Sequence, residues 1–180
     1  MATAGEATNR QLVKLREFST QLAQRLKEAP NKPTEPTRLA IRIGSENFLV
    51  EMALAGEIVS LPSIAPVPWT RPWYRGLANV RGRLVGVVDL LQLAGGDPLP
   101  ADQTHQVLVF GEVLGVNAGI LVTRAFGIRN LKNLTLLDGP APPARGSWER
   151  SRYRDNDGLT MIELELRELA TSTHFAAIAT

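Results

Sequence analysis

The side chains best suited to recognising another molecule lie together. Arg71, Arg75, Arg81 and Arg83 share residues 58–88 with Trp69, Trp73 and Tyr74, and no acidic residue or lysine interrupts that stretch. Arginine and aromatic side chains are the usual anchors of protein contacts, whereas lysine is depleted there. The chemistry on offer is recognition: a planar guanidinium fork for carboxylate or phosphate, and a large ring to bury. A second patch over residues 145–154 adds Arg145, Trp148, Arg150, Arg152, Tyr153 and Arg154, so the two patches hold all three tryptophans and both tyrosines. One reading is a nucleic-acid-binding small β-barrel, with bases stacked on Trp73 or Tyr74 and phosphates held by arginines. Another is a protein-docking surface. The plainest is that the rings are core and the arginine stems cover them. A net charge of only +2 and the predominance of apolar strand patterns favour docking over nucleic acid.

The residues that could catalyse do not assemble. His105 and His174 stand far apart with no ligand-spaced partner, so a surface or capping role is favoured over metal binding. Glu163 and Glu165 sit two apart on a predicted strand with Thr160, Ile162 and Leu164 opposite, which reads as a solvated strand face rather than an acid/base pair. Asp89 ends an apolar strand and is expected to cap the following turn or pair with an arginine. There is no G-x-S-x-G, P-loop, G-x-G-x-x-G or H-E-x-x-H motif, and no cysteine. The residues therefore assemble no nucleophile, base and oxyanion site, and metal binding is disfavoured.

The elements that must carry the arginine–aromatic stretch are β-strands. Leu39, Ile41 and Ile43 alternate with Ala40 and Arg42. Gly44-Ser45-Glu46-Asn47 reads as a turn, and Phe48, Val50 and Met52 alternate again. Four prolines between Pro62 and Pro72 stiffen the approach to a second turn, Asn79-Val80-Arg81-Gly82. Further strands are expected at about 75–80, 83–89, 106–111, 115–123, 146–153 and 158–164, with short helices near 90–93 and within 166–178. Many short strands without regularly interleaved helices argue for barrels or a sandwich. Ahead of them, residues 9–29 carry apolar side chains at steps of three and four, among them Leu15, Phe18, Leu22 and Leu26. That stripe predicts an amphipathic helix, packed on its own domain or docked on a partner. The expected divisions are a helical extension at 1–29, a Pro-rich linker at 30–37 and a β-domain at 38–180. The polar N-terminus and the lack of a run of ~20 apolar residues predict a soluble cytoplasmic protein with no membrane insertion.

The order of these features over about residues 38–172 resembles the CheW family of chemosensory adaptors. The resemblance rests on the first hairpin (Leu39 to Gly44, then Phe48-Leu49-Val50), the Glu57-Ile58 pair, and the proline-marked approach. It continues with Gly76-x-x-Asn79-x-Arg81-Gly82 and the apolar strand ending Val88-Asp89-Leu90. The later strands at 106–110 and 115–122 fit the family's second half. Gly86 departs from it, since the family commonly has proline there. The N-terminal helix and the ending around Phe175 resemble the PilI branch, which serves pilus-linked systems.

The resemblance implies two small, interlocked SH3-like β-barrels with an apolar core between them, a short C-terminal helix, no catalysis and no cofactor. It implies an adaptor that couples a chemoreceptor's cytoplasmic tip to a CheA-type histidine kinase, with the pilus branch pointing to twitching motility. The expected partner-binding residues are Glu57, Arg75, Asn79, Val80 and Arg81. Gly76, Gly82 and Asp89 are expected to shape the motif, and the Leu15, Phe18, Leu22, Leu26 stripe to dock. Arg81 is expected either to present its guanidinium to a partner carboxylate or to pair internally with Asp89 or Glu57.

Overall fold

The computed structural model describes residues 36–100, 105–137 and 146–180. The predicted N-terminal helix, with Leu15, Phe18, Leu22 and Leu26, lies outside these. The described unit, Pro36–Thr180, is mainly β. In chain order it has β1 (Thr37–Ile43), β2 (Glu46–Glu51), β3 (Ala55–Ser60), β4 (Ile64–Ala65), β5 (Tyr74–Val80) and β6 (Arg83–Val88). Helix α1 (Leu90–Leu93) is followed by β7 (Gln106–Phe110), β8 (Ala118–Val122), β9 (Arg124–Asn130), β10 (Thr135–Leu136), β11 (Glu149–Arg154) and β12 (Thr160–Leu164). Two short helices follow, α2 (Leu166–Thr171) and α3 (Thr173–Ala176).

The strands form two six-stranded sheets. The first has the order β10-β11-β12-β2-β1-β9 and the second β3-β7-β8-β6-β5-β4. In each sheet the two edge strands are consecutive in the chain. Three residues, Leu61 to Ser63, join β3 to β4, and four, Leu131 to Leu134, join β9 to β10. Those links span at most ~14 and ~18 Å, whereas a flat six-stranded sheet is ~24 Å wide. Both sheets must therefore roll up until their edges nearly meet. The chain leaves the first sheet after β2, completes the second, and returns for β9 to β12. This is the expected pair of interlocked barrels.

The larger core draws on both sheets, with Ile41, Ile43, Phe48 and Val50 from the first and Val85, Val87, Leu108, Ile120 and Val122 from the second. Leu90, Leu93, Leu166 and Leu169 of the helices close it. A smaller core of Ala40, Leu49 and Met161 fills the first sheet, flanked by Phe126, Leu131, Leu134 and Tyr153. The simple alternation expected of the first hairpin is thus incomplete. Leu49 is as buried as Phe48 and Val50, because β2 is covered on both faces, as a near-continuous apolar run implies.

Several expectations need correction. Strands β3, β4, β9 and β10 were not anticipated. Glu163 is not on a solvated face: it bonds Arg38 at 3.0 Å, reaching past β2, with both side chains under one-fifth exposed. Glu165 lies beyond β12 and accepts the Arg167 amide at the start of α2. His105 is buried, its Nε2 2.7 Å from the Pro100 carbonyl. The expected C-terminal helical region is split at Ser172, whose hydroxyl caps α3 by accepting the Phe175 amide.

Candidate docking site

The β5–β6 hairpin is closed by two residues. Val80 pairs with Arg83, leaving Arg81 and Gly82 as the turn. Both have positive φ, 51° and 85°, which is the signature of the turn whose twist matches two antiparallel strands. Glycine fits the second position. Arg81 does not, and its left-handed backbone costs roughly 1–2 kcal/mol. Asn79 offsets part of this, since its Oδ1 accepts the Gly82 amide at 2.8 Å. This is the local bond its position in the motif suggested.

Along β5, Gly76, Ala78 and Val80 are buried, whereas Arg75 and Leu77 are half-buried and Asn79 is exposed. Val80, expected among the partner-facing residues, instead sits in the core and supports the turn from beneath. Gly76 has φ 126°, and a Cβ there would lie 2.2 Å from the Ala65 carbonyl oxygen on β4. Only glycine lets β4 and β5 approach so closely.

Arg81 projects outward, its side chain 80% exposed, with Nε 3.0 Å from Glu57 Oε2 on β3. In a flat sheet β3 and β5 would be ~19 Å apart. The ion pair spans the seam where the rolled second sheet meets itself. The Arg81 Nε–H is not aimed at Glu57 Oε2, so the contact is a pairing of charges rather than a directed hydrogen bond. The internal pairing with Glu57 is therefore present, yet most of the guanidinium remains open. Beside it, Arg83 reaches Glu112 Oε1 at 3.0 Å and Asn117 Oδ1 at 3.2 Å. Asp89 takes no arginine. It is fully buried and accepts the Gln92 amide at 3.3 Å and the Leu99 amide at 2.8 Å, capping α1 and fixing the segment after it.

The three tryptophans divide. Trp73 and Trp148 are buried, and Trp73 stacks on Phe175 with ring centroids 6.5 Å apart. Trp73 is thus closed to bases, which removes one of the two stacking platforms that the nucleic-acid reading needs. Trp69 is 85% exposed. Sequence reasoning grouped these rings and did not separate them. It also missed an apolar groove of about 340 Å³ lined by Tyr74, Leu77, Leu84, Val88, Phe175 and Ile178. The alternation of Leu84 with buried Val85 and Val87 was the available signal. Burial pushes the Tyr74 phenol above its ordinary value. Among the described residues, no group of three or more acidic or histidine side chains could hold a metal, and no helix is long and apolar enough to cross a membrane.

Residues 37–172 match the family described as CheW-like domain. The chain is 35% identical over 92 residues to Protein PilI of Pseudomonas aeruginosa, a match that covers 51% of each chain, about half the length of that relative. It is 27% identical over 135 residues to a probable chemotaxis protein CheW of Rhizobium etli, covering 71% of this chain and 83% of that one. Among solved structures, the scaffolding protein TtCheW of Thermoanaerobacter tengcongensis superposes with a TM-score of 0.64 at 17% identity, over 78% of this chain and 96% of the other. That likeness is one of fold.

Proposed function

The chain belongs to the CheW-like domain family, and on that premise we propose that it is a non-enzymatic cytoplasmic adaptor that couples a transmembrane chemoreceptor to a CheA-type histidine kinase. The similarity to PilI supports the further reading that this adaptor serves a pilus-linked chemosensory system controlling twitching. The observation that carries it is the Arg81 turn. A cation is held outward on a strained backbone, paired on one side with Glu57 and open on the other. Strain of this kind persists where the surrounding structure holds it in place, and it clusters at sites of function. In this reading Arg81 presents its guanidinium to a partner carboxylate, Arg75 and Asn79 flank it, and Val80 and Gly82 hold the turn. The Leu15, Phe18, Leu22, Leu26 stripe adds a second contact to the assembly.

Titration of the purified protein with its cognate kinase and with the receptor's cytoplasmic fragment tests the proposal. Binding to both, weakened by Arg81→Ala with an unchanged melting temperature, supports it. Binding to neither, with steeply salt-dependent affinity for a single-stranded oligonucleotide, would instead mark a nucleic-acid-binding barrel.

A further inference from the structure

We propose that Trp69 is a second recognition point, separate from the Arg81 turn, and that it inserts into an apolar pocket rimmed by carboxylates on a protein partner. Three observations converge on it. The indole is 85% exposed, so a side chain that would gain most from burial is left in water. Its backbone has φ 53°, one of two non-glycine residues with positive φ among the described residues; the other is Arg81. The loop is also clasped. Thr180 donates to the Trp69 carbonyl from both its amide and its hydroxyl, each at 3.1 Å. Thr70 bridges to Ala179 and its hydroxyl bonds the Val67 carbonyl at 2.8 Å. Arg71 bonds the Ile178 carbonyl through its amide at 2.8 Å and the Ala177 carbonyl through Nε at 3.0 Å.

An exposed hydrophobic residue alone means little. An exposed tryptophan held in a costly conformation by a ribbon of hydrogen bonds is different. Its position is set before any partner arrives, which lowers the ordering cost of binding. The surrounding charge specifies the partner's sign. Residues 58–88, which carry the Trp69 loop and the strand beyond it, contain no acidic residue, and Arg71 and Arg75 follow Trp69 in the chain. The complement is an apolar pocket with a carboxylate rim. A lipid surface would also attract tryptophan and arginine, and the test separates it.

The probes are the cognate kinase and receptor fragment, so the inference borrows its partners from the proposed function. Trp69 is the one exposed tryptophan of the three, so its emission reports the contact directly. Binding of one probe should blue-shift that emission and protect it from iodide, and Trp69→Phe should abolish the shift. Trp69→Ala should weaken that binding by about 30-fold without moving the melting temperature, and raising salt should weaken wild-type binding. Wild-type affinity in Trp69→Ala for both probes, alongside a defect in Arg81→Ala, overturns this inference and leaves the adaptor reading standing. Wild-type protein that binds neither probe overturns both. A blue shift with anionic lipid vesicles but with neither protein overturns the inference in favour of a membrane contact.

Discussion

Arg81 Nε and Glu57 Oε2 lie 3.0 Å apart across the seam of the second sheet, the arginine four-fifths exposed and the glutamate about one-third. Such an exposed pair contributes at most about 1 kcal/mol to stability. Arg81→Ala should therefore melt within a few degrees of wild type. Its loss should be felt in the complex, where truncating one side of a desolvated charge pair costs about 2–5 kcal/mol. Arg81→Gly sharpens the test. It removes the left-handed strain, so it should melt at or above wild type while binding as weakly as the alanine variant. Calorimetric melts and isothermal titration on the two variants check this. A collapsed melting temperature with unchanged affinity would make Arg81 a structural residue.

Gly76 and Gly82 are expected to behave differently although both have positive φ. A Cβ at Gly76 meets the Ala65 carbonyl at 2.2 Å, whereas nothing lies within 4 Å of one at Gly82. Gly76→Ala should destabilise by more than about 3 kcal/mol, in the range reserved for severe steric or backbone conflict. Gly82→Ala should cost only the left-handed term, roughly 1–2 kcal/mol. Urea denaturation of both proteins measures the difference.

Tyr74 should make the protein alkali-sensitive. Burial raises its phenol above 10.0, so at high pH the folded chain keeps a proton that the unfolded chain has lost. The associated stability is complete below pH about 10 and declines as pH rises through the folded value. Tyr74→Phe should flatten that decline in urea melts taken at increasing pH. The same ring explains the missing proline. A Cβ on Gly86 would lie 3.0 Å from the Tyr74 Cε2 and hydroxyl oxygen, and the Gly86 amide donates to Asn117 O at 2.9 Å. Gly86→Ala should cost about 1–3 kcal/mol as overpacking, and Gly86→Pro should cost more because it also removes the donor.

Deleting residues 1–36 should leave a soluble, cooperatively melting β-domain, because both sheets and both cores lie beyond the cut. Assembly with kinase or receptor should weaken, because the apolar stripe is gone. Circular dichroism reads the first outcome and co-sedimentation the second. Aggregation of the truncated protein would assign the stripe to the domain's own core.

The hairpin that carries the Arg81 turn was legible in the sequence, whereas β3, which brings Glu57 to it, was not, and the reasons for the first are local. The Asn79–Gly82 turn, the hairpins on either side of Gly44 and Gly82, and the capping role of Asp89 all follow from turn chemistry and short apolar runs. Strand β9 was not legible. Its sequence, Arg-Ala-Phe-Gly-Ile-Arg-Asn, is interrupted by Gly127 at φ 91° beside a register shift against β1, so its period breaks where a strand signal should build. The partner of Arg81 was narrowed to Glu57 or Asp89, and only tertiary structure could decide. Asp89 is taken up by two backbone amides, and Glu57 is brought over by the rolling of the sheet. Trp69 and Trp73 stand four residues apart in similar contexts, and which one faces water depends on Phe175, about a hundred residues later.

The interrupted path of the chain has a consequence for how the protein is made. Strand β2 pairs in parallel with β12, Phe48 opposite Ile162, yet everything between them includes the whole of the second sheet. On a ribosome the first hairpin emerges early and must wait, without its partners β9 and β12, while β3 to β8 are synthesised. The first barrel can close only when residue 164 has left the exit tunnel. Contacts so distant in sequence slow folding, and they give the waiting hairpin time to pair with the wrong edge. The second sheet, contiguous from β3 to β8, is positioned to form first and to serve as the surface on which the ends of the chain find each other.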